Sequence, residues 1–180
     1  MSDQRAGDWM QTATGRVFWP VDPRPEDVCI EDIAHALSLI CRFGGHVRTF
    51  YSVAQHSVLV ARAAPPEHRL QALLHDASEA YVVDVPRPLK PSLAGYKDIE
   101  RRVTAAICAR FGLPCETPPE VKRLDTAILA DEAAQLMAAP PRPWSLPEPP
   151  LGITIDPWSP ERARSAFLRA FHALRGAPVS

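Results

Sequence analysis

The feature that most constrains this chain is where its prolines fall. Proline fixes φ and has no N–H to donate, so it starts or ends helices and is kept out of their interiors. The 20 prolines leave a few uninterrupted windows, and apolar residues inside those windows recur at helical spacing. Ile30, Ile33, Ala34, Leu37, Ile40 and Cys41 form one stripe that ends at Gly44-Gly45. A second helix is predicted after Ser52, through Val53, His56, Val60 and Ala63 to Pro65-Pro66. A third covers residues 67–82, a fourth 93–111, and a fifth opens at Pro118 or Pro119. Ser159 reads as an N-cap, with Pro160 at the first position of a sixth helix through Phe167 and Phe171. Six helices with short connections predict an all-α bundle.

The remaining segments carry no helical period. Residues 1–13 read as a loose tail, and residues 14–176 as one domain. Residues 14–19 and 46–51 are rich in strand formers, so a short ribbon between them is expected. Eight prolines fall between Pro140 and Pro160. They make residues 138–160 a semi-rigid surface segment, because too few residues follow to build a second domain. Trp144 and Trp158 in this segment suit packing on the domain itself, an interface or a lid.

Composition removes several classes of function. With 20 basic against 21 acidic residues the net charge is −1, which leaves no global field for a nucleic-acid polymer or an anionic membrane. No apolar run reaches the roughly 18 residues of a spanning helix. Cys29, Cys41, Cys108 and Cys115 contain no C-x-x-C pair and no signal sequence is evident, so a cytoplasmic protein is expected.

The chemistry concentrates in Leu73-Leu-His-Asp-Ala-Ser-Glu79, where His75, Asp76 and Glu79 interrupt an apolar helix. Ionisable groups beside buried leucines are costly unless paired or bound to metal. His56 interrupts the preceding helix and Asp125 a later one. Two imidazoles and two carboxylates, from His56, His75, Asp76 and Asp125, suit a mixed N/O site for a divalent transition metal with room for water and a substrate oxygen.

This H…HD…D pattern resembles the ligand set of the HD-domain metal-dependent phosphohydrolases, an all-α superfamily. The HD-A-S-E stretch followed by Asp84-Val-Pro-Arg-Pro-Leu-Lys90 is most similar to the bacterial 5′-deoxyribonucleotidases and the phage deoxyadenosine triphosphatases, and the similarity covers roughly residues 30–137. The resemblance implies Zn, Co or Mn, with Mg an option, on those four ligands, Glu79 as general acid/base and Asp84 as a second catalytic carboxylate. It also implies that Arg42 and Lys90 contact the nucleotide, with Arg87 a weaker candidate. Phe43 stands where the family carries Trp, so it would stack in Trp's place. Phe18 and Trp19 read as core residues, with closure of a nucleoside end as the alternative, and His46 reads as a surface residue that could reach the cleft.

The expected activity is hydrolysis of a deoxynucleotide phosphate ester, a monophosphate before a triphosphate, by a homo-oligomer as in related enzymes. A non-catalytic nucleotide sensor is the alternative from another class. Ala80 follows Glu79, which argues against the Glu-Asp pair of the (p)ppGpp hydrolases, and only His172 follows His75, too few histidines for the two-metal HD-GYP type.

Overall fold

Capping residues set the helix limits in the protein, as seen in a computed structural model that describes residues 5–176. The first helix, α1, is Ile30–Leu39. Ser52 accepts a hydrogen bond from the Gln55 N–H at 3.1 Å and starts α2, Val53–Ala63. Gly112, in the left-handed region at φ 68°, ends the long helix Tyr96–Phe111, a conformation a β-carbon would penalise. Pro119 opens the helix Pro119–Leu136, and Ser159 with Pro160 opens the last, Pro160–Gly176.

The predicted third helix is divided. Arg69–Leu74 forms α3 and Glu79–Val82 forms α4. Between them the backbone closes three-residue turns, Ala77 N–H to Leu74 O and Glu79 N–H to Asp76 O, both at 3.0 Å. His75 and Asp76 therefore sit on a tightened turn and not within a continuous helix. The three long helices that follow are α5 (Tyr96–Phe111), α6 (Pro119–Leu136) and α7 (Pro160–Gly176).

The bundle is all-α apart from a small ribbon. α7 packs across α1, α2 and α3, and α6 packs against α2. One core runs through Ile33, Leu37, Val53, Val60, Leu73, Val103, Ile128 and Phe167. Two segments differ from expectation. The ribbon pairs β1 (Met10–Gln11) with β2 (Val17–Phe18), not 14–19 with 46–51, because the tight turn at 12–15 puts these two neighbours in register: Thr12 N–H reaches Arg16 O, and Gly15 N–H reaches Thr12 O. Residues 46–51 contribute no strand, and only an isolated bridge joins Cys41 and Ser52. The expected tail over 1–13 is anchored in its described part: Arg5 pairs with Asp22 at 3.1 Å and Asp27 at 2.6 Å and lies 4.4 Å over the Trp19 ring. Residues 1–4 lie outside the described residues.

The Pro-rich segment is held by side chains that replace secondary structure. Gln55 donates to Asp156 O at 2.7 Å and accepts from Trp158 N–H at 2.8 Å. Gln135 donates to Ile153 O and accepts from Ile155 N–H, while Asp131 accepts from the amides of Leu151 and Gly152. Residues 151–158 thus pack on their own domain, with Ile155 and Trp158 buried. Trp144 is 41% exposed and meets Phe43 at a ring separation of 6.3 Å.

Candidate metal centre

Three separate elements bring the predicted ligands to one point. His56 projects from the middle of α2 and is fully buried. His75 and Asp76 lie on the turn after α3, and Asp125 lies on α6. His56 Nε2 stands 3.3 Å from His75 Nε2 and 3.2 Å from Asp125 Oδ1. Asp125 Oδ1 is 3.7 Å from His75 Nε2, and Asp76 Oδ2 lies 3.2 Å and 3.5 Å from the Nε2 atoms of His75 and His56. The protein therefore has a cluster, His56, His75 and Asp125, that could hold a metal ion, with an Asp76 oxygen beside it.

The imidazole partners define which nitrogens are free. His75 Nδ1 lies 2.7 Å from the Ala72 carbonyl, which can only accept, so Nδ1 carries the hydrogen and Nε2 the lone pair when the ring is neutral. His56 Nδ1 lies 2.7 Å from Glu132 Oε1, and an ionised Glu132 imposes the same tautomer. Two lone pairs and two carboxylates then converge, an arrangement that repels itself unless a cation sits among them. Ligands about 2.0–2.1 Å from a tetrahedral ion stand about 3.3 Å apart, so the observed spacings fit a divalent cation. A bonded outer nitrogen on each ring is the usual support of a metal-binding histidine.

Protons respond to the same crowding. Burial disfavours the imidazolium of His75, yet Asp76 and Asp125 outweigh it and hold the ring well above its ordinary value. His56 is raised less, with burial and Arg42 opposed by Glu132. Burial alone would raise Asp76, but His75 lowers it to about 2. Asp125 is lowered as well, its burial overcome by hydrogen bonds to both imidazoles.

Glu79 behaves in the opposite way. Burial first, then the charges of Asp76 and Asp84, push its carboxyl up to about 9, and its Oε2 is buried without a hydrogen-bond partner among the described residues. A protonated carboxylic acid beside ionised carboxylates is equipped to give up a proton. Asp84 is half-buried and raised, by burial and then by Asp76, against the opposing charge of Arg42.

A cleft of about 600 Å³ opens onto this cluster, lined by His75, Asp76, Glu79 and Asp125. Lys90, Lys97, Arg101 and Lys122 also line it. Lys90 is held by Glu100 at 2.9 Å, and Lys97 and Lys122 have no ion-pair partner among the described residues. Lys90 lines the cleft, whereas Arg87 is exposed and does not line it.

Arg42 and Phe43 are placed differently. Arg42 is 9% exposed and spends its guanidinium on protein groups: Nη2 lies 3.0 Å from Glu132 Oε2 and Nη1 3.7 Å from Asp76 Oδ2. It supports Asp76 from behind and is not a lining residue of the cleft. Phe43 lies under the Arg42 guanidinium and faces Trp144. Phe18 is fully buried and stacks on Tyr81 at 3.8 Å, which makes it a core residue. His46 is exposed and does not line the cleft.

Sequence reading missed Glu132. It is fully buried and links His56 to Arg42. A signal was present: Glu132 lies seven residues after Asp125 and four after Ile128, so it is a charge on the apolar face of α6.

Fold and cluster together define an all-α protein with a His/Asp group, centred on the buried His56, that could hold a metal. No protein-family model matches the chain. The chain belongs to the same family as a protein of Escherichia coli (strain K12) named Uncharacterized protein YfdR, to which it is 38% identical over 172 residues, covering 92% of this chain and 95% of that one. It is 39% identical over 186 residues to Uncharacterized protein RCAP_rcc00048 of Rhodobacter capsulatus, with the same two coverages. No described helix is long and apolar enough to cross a membrane.

Proposed function

We propose that the protein is a metal-dependent phosphohydrolase of the HD-domain type that acts on deoxynucleotides. The observation that carries this reading is a buried Glu79, its carboxyl pushed up to about 9, beside the convergent His56, His75 and Asp125 group and the Asp76 carboxylate at an open cleft. Binding alone does not call for a proton-donating carboxyl at that position. A divalent ion such as Zn, Co, Mn or Mg, held by those four residues, supplies Lewis acidity toward a phosphoryl oxygen and lowers the pKa of water. Glu79 holds a proton for the leaving oxygen, and Asp84 supplies a second carboxyl that accepts a proton. Lys90 balances charge on the phosphoryl group. Arg42 holds Asp76 in place.

A monophosphate and a triphosphate both suit this chemistry. Four cations along one cleft exceed what a single phosphate needs, and this favours the triphosphate as the second reading. The test is release of orthophosphate or triphosphate from deoxynucleoside mono- and triphosphates by metal-stripped protein supplemented with Co, Mn, Zn or Mg, beside Asp125→Ala. Orthophosphate from monophosphates supports a nucleotidase, and triphosphate from dATP supports the second reading. No product with any pair, despite bound metal, removes the hydrolase reading. Glu79→Ala that binds nucleotide as before while wild type shows no turnover leaves a sensor.

A further inference from the structure

A second groove lies outside the metal cleft, where α2, the start of α3 and α7 meet. It encloses about 420 Å³, within the range of sites for small molecules. Three arginines line it, Arg62 on α2, Arg69 at the start of α3 and Arg169 on α7, and no Asp or Glu does among the described residues. Its floor is made by the small side chains of Ala61, Ala166 and Ala170, which leave the space that larger residues would fill.

None of the three guanidinium groups has a carboxylate partner among the described residues. Arg169 has no ion pair or hydrogen bond among the described residues. Arg69 donates from Nε to Ala64 O at 3.2 Å, a neutral partner that tethers it at the end of α2. Arg62 rests over the Trp158 ring at 5.4 Å, also without a carboxylate. Arg123 with Glu120 and Arg162 with Asp156 show the kind of carboxylate partner that these three lack. Three unpaired planar cations around one concavity repel each other until an anion enters, and guanidinium matches phosphate oxygens in pairs.

We propose that this groove is a binding site for a small polyphosphate, a molecule carrying at least two linked phosphates. The inference is independent of the reaction assigned to the metal cleft. Its ligand would join Arg62 to Arg69, and so tie α2, which carries His56, to α3, which ends at His75. The site is therefore placed to act as an effector site.

The test is calorimetric titration of the full-length protein with inorganic tripolyphosphate and, separately, with dATP, without added metal. Arg169→Glu and Arg62→Glu are expected to weaken tripolyphosphate binding at least about tenfold each. Lys97→Glu, on the metal cleft, is expected to leave unchanged the binding step that Arg62→Glu and Arg169→Glu weaken. For the binding step that Arg169→Glu weakens, equal affinity for both probes shows that the phosphate chain alone is recognised, and tighter dATP binding shows that the alanine floor takes the nucleoside; either supports the site. Titrations in which Arg62→Glu and Arg169→Glu weaken no binding step, a sole binding step that disappears in Lys97→Glu, or no binding at millimolar concentration overturns it. The arginines are exposed, and Arg169→Ala, with its melting curve compared with wild type, separates lost binding from lost folding.

Discussion

His56 Nδ1 and Glu132 Oε1 stand 2.7 Å apart with both side chains fully buried. Glu132 Oε2 receives Arg42, whose other terminal nitrogen reaches toward Asp76. One buried carboxylate thus sets the tautomer of a ligand on α2 and, through Arg42, steadies a ligand on the α3–α4 turn. Burial would raise Glu132, but Arg42 and His56 hold it below its ordinary value, so it stays ionised.

Replacing this carboxylate separates its two duties. Glu132→Gln preserves shape but removes the charge that orients His56, and metal affinity is expected to fall about 10- to 100-fold by competition with a chromogenic chelator. Glu132→Ala also strands the Arg42 charge in the interior, which costs about 3–5 kcal/mol in urea denaturation of the metal-free protein. Wild-type metal affinity in Glu132→Gln would mean that the His56 contact has no part in ligand orientation.

The metal-free protein should be most stable in mild acid. Glu79, raised to about 9 in the folded state from 4.5, binds a proton there that the unfolded chain has lost, so stability falls as pH rises between those two values. His75 and His56, also raised, add stability that is full below their unfolded value near 6.5 and disappears as pH climbs through their folded values. Asp76 and Asp125, both lowered, act on the other side: their contribution is present above about 3.8 and lost as pH falls. Urea midpoints from pH 4 to 9 should peak near pH 5. Glu79→Gln should remove part of the alkaline slope, about 4 kcal/mol at most between pH 5 and 8. A profile that rises from pH 5 to 8 contradicts a neutral Glu79.

How far the sequence foretold this arrangement depends on the range of the forces involved. Helices α1, α2, α5, α6 and α7 follow from apolar spacing and from local caps such as Ser52 and Pro160, because both act within a few residues. His56, His75, Asp76 and Asp125 stood out since each breaks an apolar face. The division between Leu74 and Glu79 was invisible, as nothing in His-Asp-Ala-Ser opposes a helix. The turn appears where His75 and Asp76 must meet groups from α2 and α6. Arg42 and Glu132 are 90 residues apart, and no local pattern announces such a pair. Arg42 was accordingly read as a substrate contact, although its partners are Glu132 and Asp76.

Val83 should tolerate glycine better than its own side chain. Its φ of 61° and ψ of 160° lie in a region that β-branched residues avoid. The side chain is 57% exposed, so little packing is lost on removing it. Relief of about 1–3 kcal/mol of backbone strain exceeds the 0.5–1 kcal/mol that glycine typically adds in entropy. Val83→Gly is expected to raise the urea midpoint by an amount equivalent to about 1 kcal/mol. A lowered midpoint would show that this backbone is relaxed with valine in place.

Gln55, next to His56 in sequence, offers a test of how the Pro-rich segment bears on the metal site. Its amide both donates to Asp156 O and accepts from Trp158 N–H, a pairing that only a side chain with both functions can make. Gln55→Glu keeps the acceptor but turns a carboxylate oxygen toward the Asp156 carbonyl, so one hydrogen bond becomes a repulsion between buried oxygens. A loss of about 1–3 kcal/mol is expected. Hydrogen exchange should then quicken at the Trp158 amide, while the Ile155 amide, held by Gln135, and the Leu151 and Gly152 amides, held by Asp131, keep their protection. Exchange that quickens equally across residues 151–158 would mean that the three polar contacts release as one unit, and unchanged exchange would mean that the burial of Ile155 and Trp158 alone fixes the segment.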